Sequence, residues 1–287
     1  MKGNYRNIGF IGPFLMAVML AGIHSGSLRH AATSCPRYTI EDLGEPDSSS
    51  GQPASGPVVM PIRSPQQTSR ALPKSDPSTL RILSASKPYG QVGWMHVPER
   101  NAWHAFLQHN GQLEDLGTLG GERSFACDLN AYGWVVGYSQ LADRSRRAFL
   151  FNGSLMTDLG TLGGTNSRAY GINDQGQIVG DADTVRGASH AFLYDQGRLS
   201  DLGTLGGLDS VAYCLNNKGQ VVGYALTRHA DKHAFLWQQG TMYDLNRQIL
   251  ADLGWELEEA LKIDEGGRIW GNGTLHGKLR RFLLRPR

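Results

Sequence analysis

DLGTLGG is spelled three times in this chain, at Asp115–Gly121, Asp158–Gly164 and Asp201–Gly207. The interval is 43 residues each time, and one further step of 43 reaches Asp244 in the related YDLN. A fixed period of this size marks a propeller, a solenoid or an array. The rest of the unit keeps the same period. SFACDLNAYGWVVGYS (Ser124–Ser139) aligns with SRAYGINDQGQIVGDA (Ser167–Ala182), with SVAYCLNNKGQVVGYA (Ser210–Ala225) and more faintly with EEALKIDEGGRIWGNG (Glu258–Gly273). A third segment recurs as HAFLQHNG from His104, RAFLFNG from Arg147, HAFLYDQG from His190, HAFLWQQG from His233 and RRFLLRP at Arg280–Pro286.

Each unit divides into four short strand candidates separated by turn signals. In chain order they are a (SxAxxIN), b (GQVVGYA), c (HAFLW) and d (ending in DLG). Strands a and b meet through Asn-x-x-Gly at Asn130–Gly133, Asn173–Gly176 and Asn216–Gly219, residues that tolerate the left-handed backbone of tight turns. The Val, Ile, Phe, Tyr and Trp of b and c suit a pleated, half-buried surface. Nothing between the repeats carries a helical period; the nearest approach, Ile249–Ile263, matches strand a in its second half. Four antiparallel strands in about 40–45 residues is the pattern of a propeller blade.

The chain ends decide between a ring and an open stack. The first matching element, YTIEDLG at Tyr38–Gly44, is a strand d with no a, b or c before it. The last, RRFLL at Arg280–Leu284, is a strand c with no d after it. Pairing the two completes the final blade and removes an exposed edge; at roughly 0.5–1.5 kcal/mol per net hydrogen bond, it contributes a few kcal/mol. The expected fold is therefore all-β, a five-bladed β-propeller of four-stranded blades. These are Leu80–Gly117, Ser124–Gly160, Ser167–Gly203, Ser210–Asn246, and Trp255–Leu284 joined to Tyr38–Gly44. A sixth blade would need repeats absent from this chain, or a partner subunit.

Two segments fall outside the pattern. Residues 1–35 carry Lys2 and Arg6 ahead of the fifteen-residue apolar run Ile8–Gly22. That reads as a signal peptide, short of the roughly 20 residues of a membrane span, with a retained anchor as the alternative. Residues 36–287 form the propeller domain. Within it, residues 45–79 are a Ser- and Pro-rich insertion too polar to offset ordering entropy, and are expected to be disordered. The formal charge of +2 gives no reason to expect nucleic acid or an acidic substrate. A monomer is expected.

The HAFL, DLGTLGG and N-x-x-G-Q-V-V-G motifs, recurring in order over Tyr38–Arg287 apart from the insertion, resemble the HAF repeat family of probable extracellular proteins. The resemblance implies a secreted, mainly bacterial repeat protein with no established activity. Blades 1 and 5 depart from the family pattern.

His104, His190 and His233 invite a metal reading. The same place holds Arg147 and Arg280, which do not ligate metals. An aspartate follows eleven residues on: His104 with Asp115, Arg147 with Asp158, His190 with Asp201, His233 with Asp244. Arg280 would need Asp42 from the N-terminal strand. If c and d turn at their midpoint, each pair faces across the hairpin as a structural pair. A bulged turn would shift that register by one.

A phosphate loop needs glycines leading into a helix N-terminus and usually a Lys. Here GTLGG leads into strand a. Gly117, Gly120, Gly121, Gly160, Gly163, Gly164, Gly203, Gly206 and Gly207 therefore read as blade corners, with Leu119, Leu162 and Leu205 tucked between blades. Cys127 and Cys214 should face opposite sides of their sheets; without CxxC spacing they read as part-buried thiols, not metal ligands. No cofactor is implied.

Ser124, Ser167 and Ser210 recur as strand starts, and no GxSxG occurs. Glu256, Glu258 and Glu259 read as a solvated edge. Trp94, Trp103, Trp134, Trp237 and Trp270 are explained by blade packing, with stacking on sugars as the alternative. The expected function is a non-catalytic binding or surface-interaction module for carbohydrate or another cell-surface polymer. The rivals are a secreted hydrolase acting on polysaccharide, favoured by unpaired acidic residues gathered on one face, and a purely structural envelope protein.

Overall fold

The computed structural model describes residues 38–46 and 81–287. The expected leader and nearly all of the insertion lie outside the described residues. The chain is built of antiparallel strands in five four-stranded sheets. Strand β1 (Tyr38–Asp42) comes first in sequence. Sheet 1 holds β2 (Arg81–Lys87), β3 (Gly90–Val97), β4 (Ala102–His109) and β5 (Gln112–Asp115). Sheet 2 holds β6 (Ser124–Leu129), β7 (Val135–Gln140), β8 (Arg146–Phe151) and β9 (Met156–Asp158). Sheet 3 holds β10 (Gly163–Ile172), β11 (Ile178–Thr184), β12 (Ser189–Asp195) and β13 (Arg198–Asp201). Sheet 4 holds β14 (Gly206–Leu215), β15 (Val221–Thr227), β16 (Lys232–Gln238) and β17 (Thr241–Asp244). Sheet 5 holds β18 (Trp255–Ile263), β19 (Ile269–Leu275) and β20 (Lys278–Pro286), with β1 as its fourth strand. Among the described residues no helix is long and apolar enough to cross a membrane.

Strand β1 runs antiparallel to β20, from Tyr38 opposite Pro286 to Asp42 opposite Phe282. The ladder continues one step further, since Leu43 N–H donates to Arg281 O and Arg281 N–H donates to Gly44 O, both at 2.9 Å. Tyr38 is 2 % exposed and packs with Phe282, Leu284 and Leu257. Glu41 accepts from Arg285 at 2.9 Å.

The strands β2, β6, β10, β14 and β18 each carry a β-bulge at the same place, after Leu83, Ala126, Ala169, Ala212 and Ala260. Each of these five residues lies opposite a glycine of strand b: Gly93, Gly137, Gly180, Gly223 and Gly271. The reason is steric. A Cβ at Gly180 would fall on the carbonyl of Arg168, and one at Gly223 on that of Val211. The glycine of the QVVG motif is thus the residue a bulged partner strand requires.

The Ala-Phe pair of the HAF motif explains how sheets stack. Ala105 of sheet 1 packs into a cluster with Phe149 of sheet 2. Ala148 does the same with Phe192, Ala191 with Phe235 and Ala234 with Phe282. Small against large lets consecutive sheets approach without voids. Each buried Phe contributes about 1.5–3 kcal/mol of transfer free energy. Leu119, Leu162 and Leu205 pack against these clusters. Among the described residues no comparable cluster joins sheet 5 to sheet 1, and Leu83 on β2 is 48 % exposed.

Candidate functional site

The c–d hairpins set the geometry of the repeat aspartates. In sheet 1 the turn is Asn110–Gly111, both at positive φ (50° and 77°), the backbone of a two-residue type I′ turn. It sets His109 opposite Gln112, and therefore Asp115 opposite Phe106 and not opposite His104. Asp158, Asp201, Asp244 and Asp42 likewise lie opposite Phe149, Phe192, Phe235 and Phe282. The register differs by two from a midpoint turn, so each His or Arg meets its aspartate diagonally on one face. Nδ1 of His104, His190 and His233 lies 2.9, 2.8 and 3.0 Å from the carboxylates of Asp115, Asp201 and Asp244. Nε of Arg147 and Arg280 lies 3.7 and 3.9 Å from Asp158 and Asp42. Oδ1 of each aspartate also accepts the N–H two residues on, that of Gly117, Gly160, Gly203, Gly44 or Asn246. One carboxylate thus ties strand c to the corner that follows d.

The GTLGG corners lead to the next sheet. Gly117 has φ 68°, a conformation costly for other residues. A Cβ at Gly121 would press on the carbonyls of Gln140 and Leu141. The second and third corners are partly strand, because Gly163 and Gly164 begin β10 and Gly206 and Gly207 begin β14. The serines that follow are fully buried. Their hydroxyls accept the N–H of Ala105, Ala148 and Ala191 at 2.8–2.9 Å and donate to the carbonyls of Gly117, Gly160 and Gly203 at 2.5–2.6 Å. Ser124, Ser167 and Ser210 are therefore staples between sheets, with no proton left for a base. Between sheets 4 and 5 the corner is replaced by 3-10 turns at Leu245–Arg247 and Ala251–Leu253. There Asn246 clamps the backbone N–H and C=O of Leu257 at 2.7 and 2.9 Å. Leu257 takes the serine's place because Glu258 is extruded as a second irregularity of β18.

The a–b turns build a concave site. Asn130 Oδ1 accepts the N–H of Tyr132 and Trp134, both at 3.0 Å. Its Nδ2 donates to Asn173 O of the next sheet at 3.2 Å. Asn173 and Asn216 repeat this towards Asn216 O and Asp264 O. A second ladder runs beside it. Ala131 N–H donates to Asp174 Oδ1, Asp174 N–H to Asn217 Oδ1 and Asn217 N–H to Glu265 Oε1, at 2.9, 2.9 and 3.0 Å.

Sheet 1 breaks both ladders, because Lys87 and Pro88 occupy these places and proline has no N–H. Lys87 reaches Asp128 at 2.8 Å, and Asp128 accepts Ile172 N–H at 3.2 Å. Tyr89 stacks on His109 at 4.1 Å, and His109 Nδ1 contacts the Tyr89 carbonyl. The five turns border one cavity of about 660 Å³, the size of a small-ligand pocket. Sheet 1 lines it with Lys87, Pro88, Tyr89 and His109, sheet 2 with Ala131, sheet 3 with Ile172, Asn173 and Asp174, sheet 4 with Leu215 and Asn217, and sheet 5 with Glu265. The Ala131 N–H and the Asn217 amide hold the Asp174 carboxyl below its ordinary pKa. Burial pushes Asp128 up, with Lys87 pulling the other way. Sequence reasoning missed Asp174, Asn217 and Glu265. Their signal was present: a hydrogen-bonding residue directly after Asn173, Asn216 and Asp264, three repeats running.

Other polar groups sit on the inner strands, and unlike the scaffold they differ from sheet to sheet. Arg168 pairs with Asp181 at 2.9 Å, which also accepts from Ser189. Tyr170 meets Tyr213 edge-on. Lys232 lies 4.5 Å over the Tyr224 ring and 2.5 Å from Glu259, whose other oxygen accepts from Asn272. One member of the Glu256–Glu259 cluster is thus already paired. Trp94 packs edge-on against Phe125. Trp134 and Trp237 pack against the clusters between sheets. Trp270 lies under Lys262 and Arg268, and Trp103 packs beside His96. Burial pushes the Cys127 thiol up to about 12 and raises Cys214 as well; neither is bridged. Among the described residues no three His, Cys, Asp or Glu side chains are grouped to hold a metal.

No family model matches the chain, and no curated protein does. Among solved structures it is similar to TolB from Acinetobacter baumannii, at 16% identity and a TM-score of 0.42. The match covers 74% of this chain and 52% of that one, so this chain spans about half of that structure's length.

Proposed function

We propose that this chain is a secreted, non-catalytic binding module of the HAF repeat kind. In this reading it is a five-bladed propeller closed by β1, and its turn-lined pocket receives a carbohydrate or another cell-surface polymer. The observation that carries the reading is a cavity to which all five sheets contribute. Its polar lining suits hydroxyl-rich ligands. Asp174 and Glu265 supply acceptors, Lys87 supplies a donor and the Asn217 amide supplies both. Ile172, Leu215 and the Tyr89–His109 stack supply apolar faces for the carbon edge of a sugar. Asp174 and Asn217 are each held by a neighbouring turn, so little ordering is needed on binding. Secretion rests on Lys2, Arg6 and the apolar run that follows. The pairing of Glu259 with Lys232 and Asn272 supports a binder over a hydrolase.

The test is a screen of the purified protein against arrayed glycans and microbial surface polysaccharides, followed by calorimetry on the hits. The double variant Asp174→Ala/Glu265→Ala should weaken binding at least about tenfold, equivalent to about 1.4 kcal/mol, with little change in melting temperature. Turnover of a polysaccharide, or binding unaffected by the double variant, would overturn the proposal.

A further inference from the structure

We propose that β1 is an exchangeable strand, and that the outer edge of β20 accepts Tyr38–Asp42 from a second copy of this chain. Three observations carry this. In sheets 1 to 4 the outer strand is joined to its neighbour by a short hairpin, such as Asn110–Gly111 or Gln239–Gly240. Strand β1 has no such tether. The strand after it in the chain, β2, begins at Arg81 in a different sheet.

Second, the described bonds that hold β1 lie in sheet 5 and its approach. Its backbone pairs with β20 alone, Tyr38 N–H donates to Gln248 O, and Glu41 and Asp42 meet Arg285 and Arg280. Among the described residues β1 makes no hydrogen bond to sheet 1. Each of these bonds could be made equally by Tyr38–Asp42 of a second copy.

Third, an empty edge is costly. Without β1 the outer groups of β20 lose their partners, and Phe282 and Leu284 lose the cover of Tyr38 and Ile40. An open edge of this kind templates strand addition. Residues 43–80, extended at about 3.3 Å each, reach on the order of 100 Å, more than the ~40 Å breadth of a domain this size. A second copy is thus within reach.

The cis arrangement holds at low concentration, because a tethered strand has an effective concentration near the millimolar range. Exchange follows when copies fold together at comparable density. Once formed, it is slow to reverse, since the buried Tyr38 must leave the core.

The test uses the full chain carrying Cys35→Ser, Thr39→Cys and Arg285→Cys, the last two directly opposite each other in the ladder. The reduced protein is refolded at two concentrations about a hundredfold apart, bracketing the tether's effective concentration as far as solubility allows, and then oxidised. The low concentration should give monomer with an internal bond between positions 39 and 285. The high concentration should give a dimer linked through the same two positions, its fraction at least about tenfold greater. Protein oxidised as monomer before unfolding should refold to monomer alone. The unmodified chain, followed by light scattering, should show the same concentration dependence. Monomer at every concentration, or dimers whose 39–285 bonds all lie within one chain, would overturn the proposal.

Discussion

Strand β14, where sheet 4 meets sheet 3, and β2, its counterpart in sheet 1, carry the same repeat position, yet their surroundings differ. At the first, Ser210 staples Ala191 to Gly203, Asn173 bonds Asn216 O, Asp174 N–H bonds Asn217 and Leu205 packs into a shared cluster. At the second, Arg81 stands opposite Met95 where the serine would be, and Pro88 removes an N–H from the ladder. Leu83 stands exposed where Ala126, Ala169 and Ala212 are buried. Side-chain devices hold the interior junctions. None of these devices recurs at β2 among the described residues, and the strand from the N-terminus completes sheet 5 without bonding sheet 1.

The largest test of that contrast is deletion of Tyr38–Gly44. Losing a buried tyrosine and a strand ladder should cost at least about 4 kcal/mol, a fall in melting temperature of roughly 10 °C or more at 2–4 °C per kcal/mol. An unchanged melting curve would mean that β1 is not what completes sheet 5.

Next come two substitutions at equivalent positions. Ala212→Leu forces a large side chain into a packed junction and should cost about 1–3 kcal/mol by denaturant unfolding. Leu83→Ala, in the open position, should stay within about 0.5 kcal/mol. Equal costs would show that the two positions are packed alike. Ser210→Ala strands the Ala191 N–H and the Gly203 carbonyl, a cost of about 1–3 kcal/mol, with no loss of ligand binding.

The smallest effect is in acid. The Asp174 pKa is depressed by Ala131 N–H and by Asn217. Its contribution to stability is therefore present above the ordinary aspartate value of about 4 and lost as pH falls through the lower folded value. Asp174→Asn should be slightly less stable than the parent at pH 6, and the two melting curves should begin to converge below about pH 4. A gap that widened in acid would reverse the sign assigned here.

Much of the fold could be read from the residues because the repeat is regular where it is structural. The 43-residue interval, the orphan strand d at Tyr38 and the orphan strand c at Arg280 give five sets of four strands and the β1–β20 pairing. What stayed hidden was register. A bulge adds a residue without leaving a motif, so the alignment of Glu258 with Ser210 slipped by one, and Leu257 holds the place. The two-residue Asn110–Gly111 turn moved Asp115 from His104 to Phe106 in the ladder. The pocket was hidden for a different reason. Asp174, Asn217 and Glu265 come together through the stacking of turns 43 and 48 residues apart, so their signal shows only when the repeats are aligned and not within any one of them.

The inner-strand residues that vary between sheets have a consequence for assembly. Near-identical neighbours in one chain invite docking in the wrong order. Here three junctions carry a side-chain pairing of their own: Lys87 with Asp128, Tyr170 with Tyr213, Lys232 with Glu259. A transposed unit would meet the wrong counterpart and leave a charge or a ring without its partner. The few letters that break the refrain thus act as addresses, telling each module which neighbour is its own.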